Sequence, residues 1–272
     1  MFLLNYRRPQ TIGEAASLFQ EAADGSYLAG GHTLIPVLKA RLAAPDKLID
    51  LRSIPELRGI SVEADKVVIG AATTHAEVAA SPELRLAIPA LAGLAGTIGD
   101  RQVRHVGTIG GSVVNNDPSA DYPSAVLGLG ATVRTDRRAI PADEFFVGLY
   151  ETACEDGEIV IAIEFPIPQA AGYAKLRNQA SRYAIAGVFV SQGRSGDVRV
   201  AVTGAGADGV FRVRDMEHAL ARRFDVRSLK NIVLDEELMM AEPSIPTSYR
   251  AHLVGVLARV AIEGTGRAQT LA

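Results

Sequence analysis

Two short glycine segments, Ala29-Gly30-Gly31-His32-Thr33 and Thr108-Ile109-Gly110-Gly111-Ser112, constrain this chain more than any other feature. Each follows or interrupts an apolar stretch, and each ends in a hydroxyl residue. Glycine permits positive φ and close approach of a ligand to the backbone. Consecutive N–H groups beside glycines and a helix start make a concave anion site. Two such sites, far apart in sequence, are able to grip one diphosphate from both sides. Neither segment is a GxGxxG or a GxxxxGK[ST], so the usual dinucleotide and P-loop readings fail. Taken singly, each also fits a bland alternative: a strand-to-helix turn for the first, a polar loop with Asn/Asp turn chemistry for the second.

The elements around the segments define a frame. Thr11-Ile12-Gly13-Glu14 is a capping-box pattern that opens an amphipathic helix ending near Asp24-Gly25. Ser26 to Ala29 reads as a short strand, Leu34 to Leu42 as a helix and Lys47 to Leu51 as another strand. This alternation predicts a small parallel sheet. Beyond residue 60, Lys66 to Ala71, Val113-Val114, Ala131 to Arg134 and Glu158 to Phe165 read as strands of a mixed or antiparallel sheet. A second capping box, Thr74-His75-Ala76-Glu77, opens a short helix, and Pro82 to about Arg101 reads as helical. Pro166-Ile167-Pro168 reads as a linker. Strands at Tyr173 to Arg177, Ala186 to Gln192 and Val198 to Thr203 follow, then helices near Asp215 to Arg223 and Pro246 to Glu263. The expected organisation is three units, 1–56, 57–167 and 168–272, all α+β.

Composition excludes several classes. The net charge is −3 and no basic stripe with interleaved aromatics is present, which argues against nucleic-acid binding. No apolar run reaches the roughly 18 residues of a membrane span, and the N-terminus has no signal-peptide pattern. A cytoplasmic protein is expected. Cys154 is the single cysteine, so the chain neither forms an internal disulfide nor ligates an iron–sulfur cluster by itself. No His/Cys/carboxylate set has metal-ligand spacing, and no catalytic triad or carboxylate pair stands out. His75 and His105 read as surface or capping residues.

In order, the two segments are far more specific than either alone. The pattern AGGHT followed by L-I-P, then R-N-x-G-T-I-G-G-x-x-x-x-x-D-P-x-x-D-x-P, resembles the FAD-binding medium subunit of the molybdenum hydroxylases, which include aerobic carbon monoxide dehydrogenase and the xanthine dehydrogenase family. The resemblance covers essentially the whole chain. One position departs: His105 stands where the second motif usually has Asn. The resemblance implies a two-lobed FAD-binding domain of the vanillyl-alcohol-oxidase type, followed by a C-terminal α+β domain with a three-stranded antiparallel sheet and helices.

The resemblance also implies roles for individual residues. Ala29, Gly30, Gly31, His32, Thr33 and Leu34 are expected to bind the FAD diphosphate from one lobe, and Thr108, Ile109, Gly110, Gly111 and Ser112 from the other. Asp121 matches an acidic position contacting the adenosine part, and Ile98 a position lining the cofactor channel. Val160 matches an apolar position near flavin or adenine, and Lys175 a lysine reaching the cofactor from the third domain. Tyr183 matches an aromatic over the isoalloxazine ring, and packing within the third domain is its alternative. An aspartate replacing Gly110 is expected to abolish FAD binding with the fold kept. FAD is expected to bind noncovalently. A large partner subunit is implied to hold the molybdenum–pterin cofactor and a small one two [2Fe–2S] clusters, in a dimer of heterotrimers. The alternative is a stand-alone FAD-dependent oxidase of the same fold.

Overall fold

A computed structural model describes residues 2–266 and 268–271. Three sheets follow one another along the chain. The first contains β1 (Asn5–Arg7), β2 (Gly25–Leu28) and β3 (Lys47–Asp50), interleaved with α1 (Ile12–Gln20) and α2 (Leu34–Lys39). β3 lies in the centre, parallel to both neighbours, as the strand–helix alternation predicts. Thr11 caps α1 by accepting from the Glu14 N–H, but the Glu14 carboxylate reaches back to the Gln10 N–H rather than to the cap residue.

The second sheet has the order β4 (Ile60–Val62), β5 (Lys66–Gly70), β10 (Val160–Pro166), β6 (Thr132–Thr135), β7 (Ala139–Pro141). Six helices intervene: α3 (His75–Ala80), α4 (Pro82–Ala87), α5 (Pro89–Gly96), α6 (Arg101–Val106), α7 (Ile109–Asn115) and α8 (Tyr122–Leu129). The expected long helix from Pro82 breaks at Ile88, because Pro89 restricts the residue before it and supplies the first position of a new helix. The expected strand at Val113-Val114 is the last turn of α7. Thr108 caps that helix through the Gly111 N–H, and this local bond outweighs the β-propensity of two valines. The short α9 (Ala142–Phe145) and the hairpin β8 (Phe146–Gly148) and β9 (Glu151–Thr152) complete this part.

The third sheet has five strands, not three: β14 (Phe211–Arg212), β13 (Val198–Thr203), β12 (Ala184–Gln192), β11 (Ala170–Arg177) and β15 (Ala268–Leu271). The central three are antiparallel as expected, and β15 adds in parallel to β11. Helices α10 (Arg214–Arg222) and α11 (Thr247–Glu263) cover one face with an apolar core of their own. The other face meets α8, every residue of which is buried. Tyr173, Phe189 and Ala201 of the third sheet belong to one continuous core with Val67, Leu91, Val126 and Phe165. The segment 166–168 is therefore no free linker: Pro166 still pairs with Lys66, and the Ile167 N–H donates to Asp65. Apolar surface buried between the two parts therefore joins them.

Candidate functional site

The two glycine segments touch. A Cβ placed on Gly30 would stand 2.6 Å from the Gly107 Cα and 2.7 Å from the Val106 carbonyl oxygen. Only glycine lets these backbones approach so closely. Gly31 has φ +71°, which turns the chain from β2 into α2. The N–H groups of Gly30, Gly31, His32 and Thr33 have no acceptor among the described residues. Four successive free donors at one turn form a concave, partially positive surface. Thr33 precedes α2 without a side-chain cap bond, so its hydroxyl remains available.

The second segment is built differently. The Ile109 N–H donates to Thr73, the Gly110 N–H to Ala71 and the Gly111 N–H to the Thr108 hydroxyl. These donors knit α7 to the turn after β5. Gly110 serves that contact, since a Cβ there would lie 2.5 Å from the Ala71 Cβ. The expectation that a Gly110 side chain projects toward a diphosphate is corrected by this contact: it would project into Ala71. Among these backbone groups the Thr108 N–H is the one left without a partner among the described residues.

Between the segments lies a cavity of about 600 Å3. Volumes of roughly 300–1,000 Å3 are typical for cofactor sites. Fourteen of the sixteen expected residues line it: Ala29 to Leu34, Ile98, Thr108, Gly110 to Ser112, Asp121, Val160 and Tyr183. Ile109 and Lys175 do not. Ile109 is wholly buried in the core. Lys175, also without exposed surface, donates to both Asp121 oxygens at 2.8 and 3.0 Å and to the Thr97 carbonyl at 3.2 Å. Tyr173 donates to the same carboxylate. Lys175 thus stands behind Asp121 as a latch between the third sheet and the helical layer.

The lining residues fall into two groups. Tyr27, Glu158, Ile159 and Val160 gather where β2 meets the start of β10, and the Tyr27 hydroxyl donates to the Gly157 carbonyl at 3.2 Å. Asp117, Asp121, Arg182 and Tyr183 gather beside the third sheet. Asp121 therefore shares its surroundings with Tyr183. Burial, reinforced by Asp117, pushes the Tyr183 phenol up. Burial, reinforced by Asp136, pushes Tyr27 up to about 12. Both stay neutral hydroxyls at working pH.

Two of the carboxylates that line the cavity, Glu158 and Asp121, are paired with cations. Glu158 accepts from Arg138 at 2.9 and 3.0 Å, from the Glu155 N–H and from the Thr135 hydroxyl, and these bonds hold it down at about 2. Asp121 is paired with Lys175. The free loop donors, Arg182 and the paired carboxylates suit an anionic group. Leu51, Leu57, Ile98, Val103 and Val160 supply apolar walls suited to flat rings.

The histidines separate. His105 is exposed. His32 lines the cavity, with Nε2 3.1 Å from the Val103 carbonyl oxygen. His75 is no surface residue: it caps nothing with its side chain, is 5% exposed and lines the cavity. Burial, helped by His32 and Arg104, drives its imidazole down to about 3. His75, Tyr27, Asp117 and Arg182 are lining residues that sequence reasoning did not assign. Asp117 belongs to the polar loop read after the second segment, and His75 to a capping box whose spacing does not tell where its side chain goes.

Residues 2–168 match the family described as "FAD binding domain in molybdopterin dehydrogenase". The chain is 36% identical over 251 residues to the carbon monoxide dehydrogenase medium chain of Hydrogenophaga pseudoflava, covering 88% of this chain and 87% of that one. It is 30% identical to the glyceraldehyde dehydrogenase medium chain of Sulfolobus acidocaldarius, covering 93% and 95%. Its fold superposes on carbon monoxide dehydrogenase from Oligotropha carboxidovorans with a TM-score of 0.87 at 34% identity, over 96% of this chain and 97% of that one. Together with the paired glycine segments, these matches show that the chain belongs to the FAD-binding medium subunits of the molybdenum hydroxylases, an oxidoreductase family.

Proposed function

We propose that this chain holds FAD noncovalently in the cavity between residues 29–34 and 107–112 and relays electrons within a heteromeric oxidoreductase. The observation that carries the reading is the run of four unpartnered N–H groups, Gly30 to Thr33, packed against Gly107 and Thr108 at the wall of a cavity of cofactor size. These donors and the Thr33 and Ser112 hydroxyls hold the diphosphate, and the apolar walls exclude water from the rings. Asp121 fixes its end of the cavity through Lys175 and Tyr173. Bound there, the flavin supplies the redox chemistry, and the protein supplies position and electrostatics.

The electrons come from [2Fe–2S] clusters in a small partner subunit, fed by a molybdenum–pterin centre in a large one, and leave to an external acceptor. A single cysteine in this chain requires the clusters to lie elsewhere. Units 1–56, 57–167 and 168–272 serve as two flavin-binding lobes and a C-terminal cover, assembled as a dimer of heterotrimers. The relatives act on substrates as different as carbon monoxide and glyceraldehyde by their names, so substrate choice is assigned to the large subunit.

Native co-purification tests the reading. The chain is expected to elute with two other polypeptides, and the fraction to contain FAD, iron and molybdenum. A lone chain that binds FAD and oxidises a small organic substrate without partners would replace the relay with the oxidase reading.

A further inference from the structure

Two neighbouring buried side chains, His75 and Tyr122, each carry a polar atom without a partner among the described residues. Among the described residues His75 Nδ1 has no hydrogen-bond partner, and neither has the Tyr122 hydroxyl. The two rings are 5.3 Å apart between centroids, at 49°. Buried polar groups are nearly always satisfied, so an orphan in a native fold asks for an explanation. Two adjacent orphans ask for a shared one. A neutral imidazole has one donor and one acceptor nitrogen. Here His75 stays neutral because burial and the nearby Arg104 and His32 oppose its charging. The tyrosine offers a donor with no acceptor, and Nδ1 offers an acceptor with no donor. A single buried water between them would satisfy both.

That arrangement sets the tautomer: with Nδ1 accepting, the proton sits on Nε2. Nε2 is the nitrogen turned toward the second glycine segment, since a Cβ on Gly107 would lie 2.6 Å from it. The backbone ties the same point, because the His75 N–H donates to the Gly107 carbonyl at 2.9 Å. His75 and Gly107 both line the cavity. The second segment has spent most of its own backbone donors on Thr73, Ala71 and Thr108.

We propose that His75 is a binding residue of this site, its Nε2–H supplying a hydrogen bond to the diphosphate beside Gly107, with Tyr122 holding the imidazole in that tautomer. The inference rests on the flavin reading above. It assigns to a side chain part of the work that the glycine motif leaves undone on this side of the cavity.

The test compares His75→Leu, His75→Gln and Tyr122→Phe with the unaltered full chain. Two quantities are read: the Tm of the FAD-free protein and the Kd for FAD by flavin fluorescence quenching. A packing role moves the first and a ligand role the second. For His75→Leu the FAD-free Tm is expected to change little, because an apolar side chain of similar size takes the place of the imidazole and the water remains with Tyr122, while Kd weakens by roughly 10- to 100-fold, the worth of a hydrogen bond to a charged group. His75→Gln keeps a donor and is expected to recover most of the affinity. Tyr122→Phe is expected to leave the FAD-free Tm little changed and to weaken Kd by a smaller factor. Nitrogen-15 spectra of the histidine-labelled, FAD-loaded chain are expected to show His75 protonated on Nε2. A fall in the FAD-free Tm of His75→Leu with Kd within twofold, or an Nδ1–H tautomer, overturns the inference. If His75→Leu does not fold, His75→Gln and the tautomer decide. Failure of the unaltered chain to take up FAD instead defeats the flavin reading, and the Tm comparison still decides whether His75 is a packing residue.

Discussion

Replacing Lys175 by methionine separates two roles for that residue. The side chain runs from β11 to Asp121 with no exposed surface and makes three hydrogen bonds, two to the carboxylate and one to the Thr97 carbonyl. Methionine keeps the length and removes the charge, leaving the Asp121 carboxylate buried with Tyr173 as its remaining donor. Breaking a buried pair from one side costs about 3–5 kcal/mol. At about 2–4 °C per kcal/mol for a chain of about this size, the FAD-free Tm is expected to fall by roughly 6–20 °C. The double variant Asp121→Asn/Lys175→Met is expected to regain most of that loss, because a neutral pair of similar shape is close to break-even with a buried ion pair. Calorimetry on the wild type, both single variants and the double variant yields the coupling energy. Single-variant losses below about 1 kcal/mol that simply add would refute the latch. A Lys175→Met chain with unchanged Tm and lost FAD affinity would show that the lysine reaches the cofactor directly.

Other variants probe the rest of the cavity. Ser112→Asp adds a carboxylate to the lining of the segment opposite the free loop donors and is expected to weaken FAD binding at least ~10-fold, as like charges a few ångströms apart repel, with the FAD-free Tm little changed. Gly110→Ala is expected to lower the FAD-free Tm, because its Cβ meets Ala71 rather than open cavity; unchanged stability would contradict the packing described. Glu158 titrates at about 2 in the fold against a usual 4.5, so it stabilises the protein above pH 4.5, and that contribution disappears as pH falls toward 2. Acid unfolding of Glu158→Gln, followed by circular dichroism, is expected to show a flatter limb across this window; a limb identical to wild type would remove Glu158 from the account.

Much of the architecture was legible because it is written in local chemistry. The alternation from Thr11 to Leu51 announced a parallel sheet, and Thr74 with Glu77 form the reciprocal capping box as spaced. The errors arose where capping bonds and tertiary contacts outweigh residue propensity. Val113 and Val114 favour strand, yet the Thr108 cap and the fit of Gly110 onto Ala71 make them helical. The prolines at 166 and 168 suggested a linker between units, but Tyr173 and Phe189 extend the second unit's core across it. At the site, glycine marked where backbones meet without telling which groups face the cavity. Gly30 and Gly110 are both contact glycines, while the free donors belong to the 30–33 loop. His75 was hidden because a capping-box position says nothing about where an imidazole goes in a folded core.

Flavin content tests the central claim most directly. The purified full chain, saturated with FAD and desalted, is expected to show a flavin spectrum with one FAD per chain, released intact by acid or heat. The same preparation of Ser112→Asp is expected to lose it. A well-folded wild-type chain that retains no flavin would contradict the account.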